Sequence, residues 1–289
     1  MPDYINLSLP KKVSYIVKDK LKIVGDAYGS LDNPAVILAH GGGQTRHAWG
    51  NTASILAEQG WYAITLDLRG HGESEWHPHG DYDIGTFAED LRIIASEFTQ
   101  PPAFIGASLG GLSGLVAEGE SQFSVFSSII FVDIAHRYEK EGSERVVSFL
   151  GEYMEDGFAS LEEASEAIAA YLPHRSKQND ITNLQKYLRF GSDDRYYWHW
   201  DPQFLIYNAK MLYTNITRFT AAALNLRIPT LLVRGLMSDV ISKDVAMEFL
   251  DLVPHAKFAD VEDAGHMVAG DQNDIFSDAI ISFLRSLKY

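Results

Sequence analysis

The stretch IGASLGG, residues 105–111, places a serine between small residues directly after an apolar run. Gly106, Ser108 and Gly110 match the pattern G-x-S-x-G, in which a strand turns sharply into a helix and the serine side chain projects from the turn. The neighbours of such a serine must be small because the strand and the helix approach each other closely. A glycine-rich turn with a capping serine is the alternative interpretation, so the candidate partners of Ser108 decide between the two.

This strand-to-helix turn, called the elbow below, lies within a chain in which short apolar runs alternate with helical patterns. Continuous apolar runs are typical of strands that are covered on both faces, and strands that alternate with helices predict a mostly parallel sheet. We therefore expect an α/β fold with helices on both faces of the sheet. The predicted strands lie within residues 13–19, 21–29, 34–40, 61–70, 103–107, 127–135, 229–235 and 256–262.

Residues 137–222 interrupt this alternation, because they are mostly helical in pattern and more polar. They follow the sixth predicted strand, and the α/β pattern resumes after them. The sequence thus predicts a core formed by residues 1–136 and 223–289 and a mainly helical lid formed by residues 137–222. We expect the lid at the C-terminal edge of the sheet, where such folds bind ligands.

A nucleophilic serine needs a base to take its proton and an acid to orient that base. His266 lies in a loop after the last predicted strand, and Asp239 follows the strand before it. The chain order Ser108, Asp239, His266 is the order expected with this type of elbow. Asp133, at the end of another predicted strand, is the alternative acid. We predict Ser108, His266 and Asp239 as the catalytic residues.

The segment LAHGGGQTRHAWG, residues 38–50, places three glycines between a predicted strand and a predicted helix. Backbone N–H groups in such a loop can bind a substrate oxygen, together with the N–H of the residue after the nucleophile. We assign the oxyanion hole to Gly42 and Leu109, with Gly43 as the alternative to Gly42. A phosphate-binding loop is excluded because no Gly-Lys-Ser/Thr follows.

Together these segments resemble the α/β-hydrolase superfamily, in its lidded serine esterase and lactonase branch. The resemblance covers the predicted core, and the lid does not contribute to it. It implies an eight-stranded sheet with one antiparallel strand near its start, and serine hydrolase chemistry. A serine at position 108, rather than an aspartate, disfavours haloalkane dehalogenases and most epoxide hydrolases. The segments that carry the resemblance are His40-Gly41-Gly42 with Trp49, DLRGHGES at 67–74, the elbow at 106–110, RGLMSD at 234–239 and AGHMVAGD at 264–271.

The stretch YYWHW, residues 196–200, predicts either the core of the lid or an aromatic wall of the substrate pocket. We take Trp198 and Trp200, with Trp49 and Met267, as candidate substrate-binding residues. An apolar wall of this kind favours a small uncharged ester or lactone as the substrate.

Composition excludes several other classes of protein. The formal net charge of −15 disfavours nucleic-acid binding, and the absence of cysteine excludes disulfides and thiolate metal sites. We expect a cytoplasmic protein that does not bind the membrane, because neither a signal peptide nor a long apolar span is evident. His71, His77 and His79 lack the spacing of a metal site, so we expect a solvated loop, with Arg69 and Glu73 bracing it. No metal or organic cofactor is expected.

The predicted reaction is hydrolysis of a carboxylic ester or lactone through an acyl-enzyme. Two alternatives use the same three side chains, namely hydrolysis of a carbon–carbon bond and cofactor-free perhydrolysis. A ligand receptor that keeps the hydrolase fold is an alternative from a different class, because a fold does not determine a function. A pure receptor, however, needs no base beside its serine.

Overall fold

The computed structural model describes residues 9–171, 181–211, 214–262, 264–266 and 273–287. Within this part of the chain, eight strands form one sheet and two further strands form a short ribbon. The strands are β1 (Lys11–Ile16), β2 (Lys22–Tyr28), β3 (Ala35–Ala39), β4 (Tyr62–Leu66), β5 (Ala103–Ala107), β6 (Ser128–Val132), β7 (Leu188–Phe190), β8 (Tyr196–Trp198), β9 (Thr230–Gly235) and β10 (Lys257–Val261).

The helices alternate with these strands along most of the chain. They are α1 (Gly50–Glu58), α2 (Ile84–Ser96), α3 (Leu109–Gly119), α4 (Lys140–Glu152), α5 (Leu161–Tyr171), α6 (Pro202–Met211), α7 (Ile216–Leu224), α8 (Lys243–Leu252) and α9 (Ser277–Ser286). Short 3₁₀ turns precede α1 and α9. Each of the eight apolar runs overlaps one strand of the large sheet.

The large sheet has the strand order β1-β2-β4-β3-β5-β6-β9-β10. Strand β2 runs antiparallel to both of its neighbours, and all the other neighbouring pairs are parallel. The predicted fold class, a mostly parallel eight-stranded sheet with one antiparallel strand near its start, is confirmed.

Each face of the sheet carries its own apolar core because successive side chains of a strand point to opposite faces. In β3, Ile37 and Ala39 belong to one cluster of buried side chains, whereas Val36 and Leu38 belong to the other. Helices α2, α3 and α8 contribute side chains to the first cluster, and α1 and α9 contribute to the second. Two covered faces explain why the central strands are apolar without interruption.

The order of the strands positions the functional site. The chain runs from β3 to β4 on one side and then returns to β5 on the other side of β3. In such sheets ligands bind beyond the carboxyl ends of the strands where the direction reverses. Ala39 of β3 pairs with Gly106 of β5, and Ala107 of β5 pairs with Val132 of β6. The loops that follow β3, β5 and β6 therefore begin side by side.

The segment between β6 and β9 contains α4, α5, α6 and α7, and also the antiparallel ribbon of β7 and β8. Sequence periodicity predicted the helices of this insert but did not predict the ribbon. Helix α7 continues through residue 222, where Ala222 and Ala223 are buried against α3. The expected boundary at residues 222 and 223 thus falls inside a helix that packs on the core. Within the described residues, no helix combines the length and apolarity needed to cross a membrane.

A buried ion pair fixes the loop after β4. The Arg69 side chain is fully buried and donates from Nε and Nη2 to the two carboxylate oxygens of Asp90 in α2, each at 2.6 Å. Its Nη1 donates to the backbone oxygen of Asp81 at 3.2 Å. Burial raises the pKa of Asp90, although Arg69 opposes that shift. The predicted bracing role of Arg69 agrees with these contacts.

We expect Asp90→Asn to lower the free energy of unfolding by about 3 kcal/mol, because the buried guanidinium of Arg69 would lose the carboxylate that pairs with it. Urea unfolding followed by far-UV circular dichroism measures this change. Glu89→Gln is the matched control on the same helix, since Glu89 forms only a half-exposed pair with Arg92 and should cost at most about 0.5 kcal/mol. Equal midpoints for the two variants would contradict the prediction.

Candidate active site

Ser108 occupies the sharp turn between β5 and α3, with φ 44° and ψ −113°. A side chain rarely adopts such a backbone conformation, so the surrounding structure must impose it. A Cβ at Gly106 would lie 2.6 Å from the backbone of Gly110 and Gly111, and one at Gly110 would lie 2.6 Å from the oxygen of Ala39. Only glycines allow this close approach, which brings Ser108 to the cavity above the sheet.

Two residues that line this cavity have backbone N–H groups without a partner in the described part of the chain. Gly42 and Leu109 both line the cavity, and within the described residues their N–H groups make no hydrogen bond. The neighbouring N–H groups are used: that of Gly41 donates to Gln44 Oε1 at 2.9 Å, and that of Gly43 donates to His71 Nε2 at 3.2 Å. Of the two alternatives in this loop, Gly42 rather than Gly43 keeps a free donor.

Two buried histidines support the glycine loop. His71 Nδ1 donates to the oxygen of Arg69, so its Nε2 is free to accept from Gly43. His40 is held in the same way, since its Nδ1 donates to the oxygen of Gly41 and its Nε2 accepts from Leu68. Both rings are therefore neutral. Burial, the largest cause, lowers the pKa of His40 to about 4 and the pKa of His71 to about 3.

The expectation of a solvated loop is wrong for His71, which is fully buried, whereas His79 is exposed. The burial of His71 could not be predicted from the sequence, because its glycine neighbours form no periodic pattern that would indicate a buried position. No group of side chains that could hold a metal ion is found in the part of the chain that the structure describes.

The imidazole of His266 is buried and lines the same cavity as Ser108. Its Nδ1 lies 2.8 Å from Asp133 Oδ2. No hydrogen bond joins Ser108 and His266 among the described residues, and in ligand-free sites such contacts are often long and tighten only with substrate. Nδ1 faces the carboxylate, which leaves Nε2 as the ring nitrogen for proton transfer.

Asp133, not Asp239, is the carboxylate beside His266. Asp133 directly follows β6 with φ 50°, is 2% exposed, and also accepts from the N–H of Gly235 at 3.0 Å and from Ser238 Oγ at 2.6 Å. These contacts fix its position at the carboxyl edge of the sheet.

The prediction that Asp239 orients His266 does not agree with this geometry. Asp239 lies four residues beyond the end of β9, and its carboxylate pairs with Arg145 of helix α4. The preceding residue, Ser238, is the one that reaches the site, where it supports Asp133. Two carboxylates follow neighbouring strands, and sequence alone does not determine which one turns toward the histidine.

The cavity above Ser108 has an empty volume of about 930 Å³, including its open mouth. Within the described residues, its lining contains no Asp, Glu, Lys or Arg. Helices of the insert supply most of the apolar wall, chiefly through Val146, Val147, Leu150, Phe204, Leu205 and Phe219. The insert thus forms a roof of aliphatic and phenyl side chains over the serine.

The tryptophans predicted to bind substrate lie elsewhere. Trp49 is fully buried in the core, where its Nε1 donates to the oxygen of Ala39. Trp198 packs against Phe149 and Phe158 inside the insert, and neither Trp198 nor Trp200 lines the cavity of Ser108. Both are buried in the larger apolar cluster, and Trp200 pairs through its backbone with His71 of the loop after β4. Met267 lies outside the described residues.

Comparison with known proteins agrees with this fold. A family model for the alpha/beta hydrolase family matches residues 36–279. The chain is 27% identical over 249 residues to the esterase Rv0045c of Mycobacterium tuberculosis, a match that covers 83% of this chain and 78% of that protein. It is 26% identical over 253 residues to a 3-hydroxybutyrate-oligomer hydrolase of Cupriavidus necator, covering 83% of this chain and 85% of that protein.

Solved structures give the same result. An α/β hydrolase from Novosphingobium aromaticivorans superposes with a TM-score of 0.79 at 20% identity, covering 96% of this chain and 99% of the other. E-2-(acetamidomethylene)succinate hydrolase superposes with a TM-score of 0.80 at 18% identity, covering 95% of this chain and all of the other. At these identities the likeness establishes the fold.

The buried histidines predict a pH dependence of stability. Because the folded pKa of His71 is lowered below the unfolded value of 6.5, the unfolded chain binds more protons, and stability falls as pH falls below 6.5. We expect each of His40 and His71 to contribute a loss of about 1 kcal/mol per pH unit between pH 6 and pH 5.

Urea unfolding at pH 7, 6 and 5 measures this slope. His71→Gln keeps an acceptor for Gly43 but does not titrate, so it should reduce the slope, whereas His79→Gln should not, since His79 is exposed. An unchanged slope in His71→Gln would contradict the prediction.

Proposed function

This chain belongs to the α/β-hydrolase family, and from that premise we propose that it is a serine hydrolase that cleaves carboxylic esters. The observation that carries the proposal is the strained elbow of Ser108 at a cavity that it shares with the Asp133-bound imidazole of His266. A serine and an imidazole held by a carboxylate are the groups that acyl transfer requires.

In the first half of the reaction, Ser108 Oγ attacks the carbonyl carbon of the ester, and His266 Nε2 takes the hydroxyl proton. The carbonyl oxygen becomes an oxyanion, which the N–H groups of Gly42 and Leu109 bind. Leu109 is the first residue of α3, and the positive end of that helix dipole favours the developing charge. One such donor contributes about 3 kcal/mol to the barrier reduction.

His266 then returns the proton to the alcohol oxygen, so the carbon–oxygen bond breaks and an acyl-serine forms. In the second half, His266 removes a proton from water as the oxygen attacks the acyl-serine carbonyl. His266 then gives that proton to Ser108 Oγ as the carbon–Oγ bond breaks, and the acid leaves. Asp133 holds Nδ1–H throughout and stabilises the charged imidazole. We propose that residues 137–222 act as the lid, which keeps bulk water from the acyl-enzyme.

The lining of the cavity supports an uncharged substrate. The described lining residues include no Lys or Arg that could offset the cost of burying a carboxylate, and the chain as a whole is strongly acidic. The relatives named as an esterase and as a 3-hydroxybutyrate-oligomer hydrolase support an ester bond as the target. Lactones remain within the proposal, because ring opening uses the same steps.

We expect a fluorophosphonate probe to label Ser108, because the probe reacts with a serine that has a base beside it. Mass spectrometry of the modified peptide locates the label, which should be lost in Ser108→Ala and strongly reduced in His266→Ala. The wild-type protein should also hydrolyse 4-nitrophenyl acetate and butyrate. Turnover of 1,3-diketones with no ester turnover would instead indicate a carbon–carbon hydrolase.

Variants of the two candidate acids, Asp133 and Asp239, test directly which one supports His266. Asp133→Asn should lower kcat on 4-nitrophenyl butyrate by about 10³–10⁴-fold, because the amide no longer stabilises the charged imidazole. Asp239→Asn removes only the partly exposed pair with Arg145 and should change kcat by less than about fivefold. Thermal unfolding of both variants separates a catalytic effect from loss of the fold. The reverse ranking would reinstate Asp239 as the acid.

A further inference from the structure

Two asparagines interrupt the apolar wall of the cavity. Asn208 lies in α6, and Asn215 directly precedes α7. Both line the cavity that contains Ser108, and both are half-buried. A carboxamide in an apolar wall must keep its hydrogen bonds when a substrate displaces water.

Asn215 is in a position where asparagine normally caps a helix. A capping side chain accepts a hydrogen bond from the first turn of its helix, but the Asn215 side chain makes no such bond. Its backbone oxygen accepts a hydrogen bond from the N–H of Phe219 at 2.9 Å. Among the described residues its carboxamide has no partner, so it offers both a donor and an acceptor to the cavity.

Asn208 has one half of its carboxamide occupied. Its Nδ2 donates to the backbone oxygen of Phe204 at 2.9 Å, and this bond fixes which atom is the acceptor. Oδ1 makes no hydrogen bond within the described part of the chain. The hydroxyl of Tyr207, by contrast, already donates to Asp83 at 3.1 Å. Each of the two asparagines therefore keeps unused hydrogen-bonding capacity in this wall, as far as the described residues show.

An alkyl chain and a hydroxylated chain interact differently with such a wall. An alkyl chain that covers the two carboxamides displaces water from them and replaces no hydrogen bond, so it binds less favourably. A hydroxyl can donate to Asn208 Oδ1 or accept from Asn215 Nδ2, so it can replace a hydrogen bond that water would otherwise make. The described lining residues include no Asp, Glu, Lys or Arg that could pair with a charged group.

We propose that Asn208 and Asn215 form a subsite for a neutral hydroxyl group, so that the preferred substrates are esters that carry a hydroxyl on the acyl or the alcohol part. This proposal rests on the proposed ester hydrolysis at Ser108. It adds a specificity element on the insert, away from the core strands and loops that carry the reacting groups.

The test compares matched esters by pH-stat. Ethyl pentanoate, ethyl 3-hydroxypentanoate and ethyl 3-methoxypentanoate vary the acyl part, while butyl acetate and 3-hydroxybutyl acetate vary the alcohol part. The quantity measured is the ratio of kcat/KM for the hydroxylated ester to that for its alkyl counterpart. We expect a ratio of about ten or more in one of the two series, and a smaller ratio for the methoxy ester, which cannot donate to Asn208.

The variants Asn208→Leu and Asn215→Leu each keep the size of the side chain and should lower that ratio about tenfold. Gln203→Leu is the matched control, since it removes an exposed carboxamide on the same helix that does not line the cavity, and it should leave the ratio unchanged. If Asn215→Leu fails to fold, Asn215→Ser replaces it in the same measurement. Asn215→Ser should lower the ratio by less than the tenfold expected for the leucine variants.

The outcomes separate this subsite from the reaction at Ser108. Ester turnover that needs Ser108 but shows equal ratios in both series, or ratios unchanged in the asparagine variants, would overturn the subsite alone. If no ester is turned over, calorimetry with Ser108→Ala measures how tightly each ester binds. Tighter binding of ethyl 3-hydroxypentanoate than of ethyl pentanoate, lost in Asn215→Leu, would support the subsite without catalysis. Equal binding, or no binding of either ester, would overturn it.

Discussion

The backbone contact between β5 and α3 is the constraint on which the site depends. Gly106 and Gly110 let the strand, the helix and the end of β3 approach to distances that any side chain would prevent. That approach forces Ser108 into a left-handed conformation, and it also places the N–H of Leu109 at the start of a helix. One turn therefore supplies both a projecting hydroxyl and a free donor, and larger residues at the two glycines would separate them.

The carboxyl edge of the sheet gathers the remaining groups. The ends of β3, β5, β6 and β9 are adjacent because of the strand order, so four loops that are distant in sequence meet above one edge. Asp133 receives hydrogen bonds from the loop after β9 while it holds His266. The histidine, which follows the last strand, is thus attached to the centre of the sheet through a buried carboxylate.

A second set of contacts keeps the glycine loop in place. His40 and His71 are neutral and fully buried, and each joins that loop to the segment after β4. Neutral rings suit this place, because a buried positive charge beside the oxyanion loop would need a partner of its own. The arrangement saturates the N–H groups of Gly41 and Gly43 and leaves the N–H of Gly42 to the cavity.

Much of the fold follows from local pattern. Eight apolar runs predicted the eight strands of the large sheet, and the alternation of strands with helices predicted that the sheet is mostly parallel. The G-x-S-x-G turn and the loop at Gly42 were also predictable, because their geometry depends on neighbours along the chain. The ribbon of β7 and β8 was not predictable, since each strand has only three residues and its aromatic side chains obscure the alternation of apolar and polar positions.

By itself the sequence determined the sheet, the elbow at Ser108 and the histidine that follows the last strand, because each depends on short-range spacing or on an apolar period. Tertiary structure alone decided that Asp133 rather than Asp239 meets His266, that His71 is buried, and that asparagines rather than tryptophans reach the cavity. These outcomes depend on which way a side chain turns at the end of a strand or on a helix of the insert. That direction is set by packing between segments that are far apart in the chain.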